Sequence, residues 1–289
     1  MSTLISLALF LVMMALGLHP PTVKVGLLIR RPVWLLRVLV TTCIGIPIAA
    51  LLLLRTPLGQ GLSPSMATAL MLMAICPSAP LISLKSRLVA GNAGLAARLQ
   101  LWSACAAILS VPIWVNQLPI DVGETLWSIS GRDVAAQVLC VQVFPLLAGM
   151  SLRRWCSTWA ERWNPVVQKT ASILLLMLLA VVLVTALPKV SLTLIADLRG
   201  AFLMLLLTLI ALLLGYGIAS DDQAEKSTIP MVMAMRNPGL ALLLVQQMAP
   251  EASELKAAIV GYVMMTVIGM TPFLRWRQRL ADPTHDVSK

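Results

Sequence analysis

The dominant pattern along the chain is a succession of apolar runs, each close to the ~20 residues that a helix needs to cross the hydrocarbon core of a bilayer. Nine such runs are read, at about 2–18, 33–54, 65–83, 93–115, 133–151, 169–187, 200–219, 228–248 and 256–274. They are continuous rather than alternating in polarity. A lipid-exposed sheet would also have to close into a barrel to pair its backbone groups. The pattern therefore predicts an all-α integral membrane protein with about nine transmembrane helices. The first run, Met1 to Leu18, has neither a basic leader nor a small-residue cleavage site, so it is expected to remain as a span.

Composition agrees with this reading: 59% of residues are hydrophobic and 12% charged, against ~25% charged in soluble domains. The formal charge of +10 would suit a nucleic-acid partner, but the lysines and arginines sit mostly in short loops between apolar runs, as the positive-inside rule requires. With the N-terminus outside, one side collects Lys24, Arg30, Arg31, Lys85, Arg87, Arg153, Arg154, Arg162, Lys169, Lys226 and the basic residues of the tail. The other side has Arg55, Arg132, Lys189, Arg199 and Lys256. This places the C-terminus in the cytoplasm, with the bilayer and not nucleic acid as the partner surface. Five scattered cysteines predict free thiols. Trp155, Trp159 and Trp163 recur at helical spacing beside Arg153, Arg154 and Arg162, which predicts an amphipathic helix over 151–165 lying in the interface as an anchor.

Two runs carry strong helix breakers. Cys76-Pro77-Ser78-Ala79-Pro80 interrupts the third, and Met235-Arg236-Asn237-Pro238-Gly239 interrupts the eighth. Proline removes a backbone donor and clashes with the preceding turn, so each break frees polar groups at membrane depth, where only protein or a water-filled cavity can satisfy them. Each break also falls in the middle member of a three-span group, spans two to four and seven to nine. Groups of three have opposite orientation, and paired broken helices in inverted repeats point to a secondary transporter with its site between the breaks.

These residues resemble the bile acid:sodium symporter family over nearly the whole chain. Met14-Ala15-Leu16-Gly17-Leu18 resembles the family's Met-x-x-Gly-Leu segment, and Pro32 the proline of the basic loop after it. Cys76-Pro77 resembles the opening of Cys-Pro-Gly-Gly-x-x-Ser-Asn, and Gly91-Asn92 the Gly-Asn that follows. Asn237-Pro238-Gly239-Leu240-Ala241 resembles the end of Glu-x-Gly-x-Gln-Asn-x-Gly-Leu-Ala. The resemblance implies a core domain of two inverted repeats, 32–116 and 198–274, whose broken helices cross. It implies a panel domain from 1–31 and 133–187, and 275–289 remains as a tail.

The chain departs from the family at the ion ligands. Val232 and Arg236 stand where the family has Glu and Gln, and Ile82 and Ser83 where it has Ser-Asn. Gln100 and Ala104 stand where the fourth span has hydroxyls, and Asn237 alone is kept. A sodium site needs oxygen ligands and a compensating carboxylate, and no Asp or Glu falls clearly within a span, so these departures argue against sodium coupling by the family's route. Residual sodium contact would fall to Asn237. No other cofactor is expected. His19 and His285, in a loop and in the tail, offer no proton relay.

Arg236 lies about eight residues, or ~12 Å, into its run, near the bilayer midplane, with no membrane-embedded carboxylate as partner. Two readings stand side by side. The arginine supplies a fixed positive charge that pairs with an anionic substrate, or it caps carbonyls freed at the break around Pro77 to Pro80. The candidate substrate-binding set is Arg236, Asn237, Ser78, Ser83 and Gln100, framed by Cys76, Pro77, Pro80, Pro238 and Gly239. Arg37 and Arg98 are expected to snorkel to headgroups, and Gln100, Gln137, Gln142 and Gln246 line a polar path or join helices by hydrogen bonds. No catalytic motif or phosphate loop is present. The expected function is carriage of a small organic anion across the cytoplasmic membrane by alternating access. A channel, a non-transporting sensor or scaffold, and self-association remain open alternatives.

Overall fold

A computed structural model of the chain describes residues 2–18, 31–77, 91–117, 121–122, 125–126 and 131–281. The described residues are almost wholly helical. The exception is a two-stranded antiparallel hairpin, β1 (Asp121–Val122) with β2 (Thr125–Leu126), which pairs Asp121 with Leu126. The helices are α1 (Ser2–Leu18), α2 (Pro32–Arg55), α3 (Pro64–Ile75), α4 (Ala93–Gln117), α5 (131–155), α6 (Ser157–Ala196), α7 (Leu198–Ile218), α8 (Gln223–Ala234), α9 (Pro238–Met248) and α10 (Ser253–Ala281). Among the described residues six helical segments are long and apolar enough to cross a membrane: α2, α4, α5, α7, α8 with α9, and α10. The chain is thus a multi-pass helical membrane protein.

Helix ends follow local chemistry. Ser63 caps α3 by accepting from the Met66 amide, with Pro64 pre-set at the first helical position. Asp197 caps α7 through the Gly200 amide, and its other oxygen accepts from Ser63 N at 3.0 Å, so one carboxylate serves the first turns of two helices.

Both α2 and α5 contain a five-residue π turn, Thr41–Gly45 and Leu139–Val143. Each is followed two residues later by proline, Pro47 and Pro145. The turn widens the helix to about one residue more per turn, and its backbone consequences are felt at the breaks. In α5 it also rotates Gln142 inward. Gln137 and Gln142 would lie far apart around a regular α-helix, yet both are buried.

The expected interfacial helix over 151–165 is corrected. Cys156 interrupts the helix (φ −129°, ψ 60°), so Ser151 to Trp155 end α5. Ser157 opens α6, which continues for 40 residues to Ala196. Pro165 does not stop α6, because it removes only the amide that would meet the carbonyl of Glu161, on an exposed turn where water can replace it. Trp155, Trp159 and Trp163 are all exposed, and the rings of the last two lie 6.1 Å apart.

The main core joins α2, α3, α4, α7, α8, α9 and α10, with Leu70, Leu72, Met73, Met233, Leu244 and Tyr262 among its buried members. Helix α1 packs chiefly on α5 and α6. It crosses α5 glycine to glycine: a Cβ at Gly17 would collide with the Leu146 carbonyl, and one at Gly149 with that of Met14. Backbones approach this closely only where side chains are absent. Gly215 of α7 likewise admits the backbone of Pro230 in α8.

Candidate functional site

The site is built where two helices end in mid-core. Helix α3 stops at Ile75 because Pro77 cannot donate to the Met73 carbonyl, and Cys76 is extended (φ −89°, ψ 96°). Helix α8 stops at Ala234, Met235 and Asn237 are extended, and Pro238 opens α9. The two unwound segments touch: the Asn237 amide donates to the Cys76 carbonyl at 3.1 Å. Ser78, Pro80 and Ser83 lie outside the described residues.

Several carbonyls around the first break can be followed to a donor. Leu72 accepts from Cys76 N at 3.1 Å. Met73, denied its donor by Pro77, accepts from Arg236 Nε at 3.1 Å, and Ala74 accepts from Arg236 Nη2. The same Nη2 donates to the Thr42 carbonyl in the π turn of α2 at 3.2 Å. Thr42 is available for a backbone reason. In the π turn the Ile46 amide turns back to Thr41, and the next residue, Pro47, has no amide to give. The neighbouring carbonyl of Cys43 would pair with Pro47 in a regular α-helix, and it accepts instead from the Trp114 indole at 2.8 Å. A buried carbonyl without a donor costs ~1–3 kcal/mol, so Arg236 and Trp114 together stabilise a region that Pro47 and Pro77 have opened.

Arg236 is 2% exposed and Asn237 1%. The Asn237 side-chain oxygen accepts from Leu240 N at 3.1 Å and caps α9. Arg236 Nη1 and Asn237 Nδ2, both pure donors, have no hydrogen-bond partner among the described residues, and neither has the Thr42 hydroxyl, which can donate or accept. Tyr262, Cys43 and Cys76 all lie within electrostatic reach of the guanidinium. Val232 is fully buried, without a carboxylate to offer. Among the described residues, the carbonyls of Met73, Ala74 and Thr42 and the side-chain oxygen of Asn237 are engaged by Arg236 or by a helix cap, with the guanidinium among them.

Gln100 and Ser103 of α4 are buried, and their polar atoms also lack partners among the described residues. Gln137 and Gln142 are buried on α5, whereas Gln246 is only partly so. Arg37 is exposed, and Arg98 folds back toward the start of its helix to donate to Gly94 O at 2.9 Å. Thr42, Cys43 and Trp114 were not singled out by sequence. The only signal for them is the proline two residues after a π turn, which is invisible without the turn.

At the end of the molecule where α4 and α8 begin, polar contacts tie four helices. Asn92 N donates to Thr228 Oγ1 at 2.8 Å, and Arg31 meets Glu225 at 3.5 Å. Arg277, placed by sequence among the basic tail residues, is buried and grips Ser227 Oγ together with both oxygens of Gln223. The exposed Lys226–Asp221 pair, at 2.9 Å, holds the Asp221 carboxyl below its ordinary value by hydrogen bond and charge.

Comparison with family models matches residues 6–192, more than half of the chain, to the sodium bile acid symporter family. The chain belongs to that family. Membership in the sodium bile acid symporter family makes it a secondary transporter and not an enzyme. The match ends before the second break, so Arg236 and Asn237 lie beyond the matched residues. No curated protein matches the chain at a significant level.

Proposed function

We propose that this transporter carries a small organic anion by alternating access without sodium, the acidic group of the substrate resting against Arg236 where the two breaks meet. The observation that carries the reading is the set of free atoms: donors remain at Arg236 Nη1 and Asn237 Nδ2, while the carbonyls of Met73, Ala74 and Thr42 and the Asn237 side-chain oxygen are engaged. A carboxylate or similar anion complements such a set, and the guanidinium fork favours it geometrically. Capping and binding are compatible, because Nε and Nη2 of Arg236 serve the carbonyls and Nη1 has no partner among the described residues.

In this reading nine spans cross the cytoplasmic membrane, with the N-terminus outside and the C-terminus in the cytoplasm. The broken helices α3 and α8–α9 cross at the centre of two inverted three-helix repeats, and α1, α5 and α6 form the panel against which the repeats rock. Tight glycine contacts between α1 and α5, and polar ties among α2, α4, α8 and α10, support two bodies that each move as a unit.

The test is uptake of labelled organic anions into proteoliposomes, with sodium or potassium outside and otherwise identical buffer. Saturable uptake with counterflow, equal in the two cations, is expected. Strong sodium dependence would overturn the sodium-free reading, non-saturable flux without counterflow would indicate a channel, and binding without flux a sensor.

A further inference from the structure

We infer that the elbow between α5 and α6 is a binding site for the headgroup of an anionic phospholipid, held by Arg154 and Arg162 with Trp159 and Trp163 beside them.

The elbow is tied across its break. Cys156 interrupts the helix (φ −129°, ψ 60°), and Arg153 Nη2 on one side donates to Glu161 Oε1 on the other at 2.8 Å. Glu161 is the one acidic residue between Ser151 and Thr170, and that pair neutralises it. Arg154 and Arg162, each the next residue after a member of the pair, are exposed and belong to none of the ion pairs among the described residues. Helix α1, which packs on both α5 and α6, carries no charged residue. Two guanidiniums therefore stand uncompensated at the elbow.

Each of them ends a stripe of exposed apolar side chains. On α6 the buried face holds Ala160, Asn164 and Ala171, at helical spacing. The outward face runs from Trp159, Arg162 and Trp163 through Val166 to Ile173 and Met177, all exposed. On α5 the exposed Leu147 and Met150 lead in the same way to Arg154. Such stripes in a membrane protein lie against acyl chains, so each arginine meets the headgroups to which those chains belong.

Depth agrees. Thr170 to Pro188 is uncharged and measures ~28 Å as a helix, close to the ~30 Å of hydrocarbon. Lys169 then marks the hydrocarbon edge, and Arg162 and Trp163 lie in the two turns outside it, within side-chain reach of the phosphates. A guanidinium fork pairs bidentately with phosphate, and indoles settle at headgroup level. A net negative headgroup is favoured over a zwitterionic one, whose ammonium would be brought against two like charges.

The experiment is native mass spectrometry of the purified full-length protein in detergent, titrated with dioleoylphosphatidylglycerol and with dioleoylphosphatidylcholine. The anionic lipid is expected to bind about tenfold or more tightly. With Arg154→Gln and Arg162→Gln combined, that margin should fall close to parity at unchanged Tm, since both side chains are exposed. Arg37→Gln, which removes an exposed arginine of α2, should keep it. Should the double variant lose Tm, Arg162→Gln alone carries the test and should narrow the margin. Equal binding of the two lipids, a margin that survives loss of the elbow arginines, or an equal fall in Arg37→Gln would overturn the inference. Glycerol phosphate binding as tightly as the lipid would also overturn it, by assigning the elbow to a free anion.

Discussion

An arginine at bilayer depth costs at least ~2.5–3.5 kcal/mol on insertion scales, and here that cost is offset by backbone carbonyls rather than by a carboxylate. Arg236 reaches Met73, Ala74 and Thr42, on two different helices. Arg236→Met would leave three buried carbonyls without donors at ~1–3 kcal/mol each. We expect a loss of stability of about 3 kcal/mol or more, read as a lower Tm in detergent, with Arg236→Lys intermediate because an ammonium cannot span both helices. An unchanged Tm in Arg236→Met would remove the capping role. Asn237 separates its two functions by atom. Asn237→Ala should cost ~1 kcal/mol through loss of the α9 cap. Asn237→Asp keeps the capping oxygen but replaces the free donor with a carboxylate oxygen, so stability should persist while anion affinity falls at least about tenfold. Sequence reasoning singled out both residues and gave the carbonyls freed at the first break as one reading of the arginine's partners, which Met73 and Ala74 match. It could not see Thr42, whose carbonyl becomes available only where the π turn cuts the ladder of hydrogen bonds.

At the level of elements, the apolar runs and both breaks were legible, because span length is set by bilayer thickness and proline acts on its own backbone. The π turns were not, since Thr41–Gly45 and Leu139–Val143 have nothing in composition to distinguish them from the α-helix around them. Their cause becomes readable only with Pro47 and Pro145 in register behind them. Pro47→Ala would restore an amide donor within the turn. The expected result is competition with Trp114 and Arg236 for the Cys43 and Thr42 carbonyls, detected as altered tryptophan emission and a lower Tm despite the better helix former. The same scale explains the glycine crossing. Gly149→Val places side-chain atoms where the Met14 carbonyl lies, so α1 and α5 must separate. A loss of about 2 kcal/mol or more is expected from overpacking, whereas Gly217→Ala, which meets nothing within 4 Å, should be nearly neutral.

For the molecule as a whole, helix α6 sets a boundary. Its 40 residues measure ~60 Å, about twice the ~30 Å hydrocarbon thickness, so a large part of it must leave the bilayer or tilt steeply. Trp159 and Trp163 stand in its first turns and are exposed, where interfacial aromatics are expected. In single-tryptophan variants retaining Trp159, headgroup-level quenchers should act more strongly than quenchers near the bilayer centre. The sequence placed these aromatics at an interface but gave them a helix of their own, because a proline and a run of charges look like a boundary when continuity on the far side cannot be seen.

The carbonyl cage around Arg236 also links positions far apart in the chain. Pro47 and Pro77 leave the Thr42 and Met73 carbonyls open to Arg236, and replacing either proline returns a backbone amide that competes with the guanidinium. The three positions form a linked set, so related chains should carry proline, proline and arginine together or lack the arginine, and reverting any one alone should be worse than reverting all.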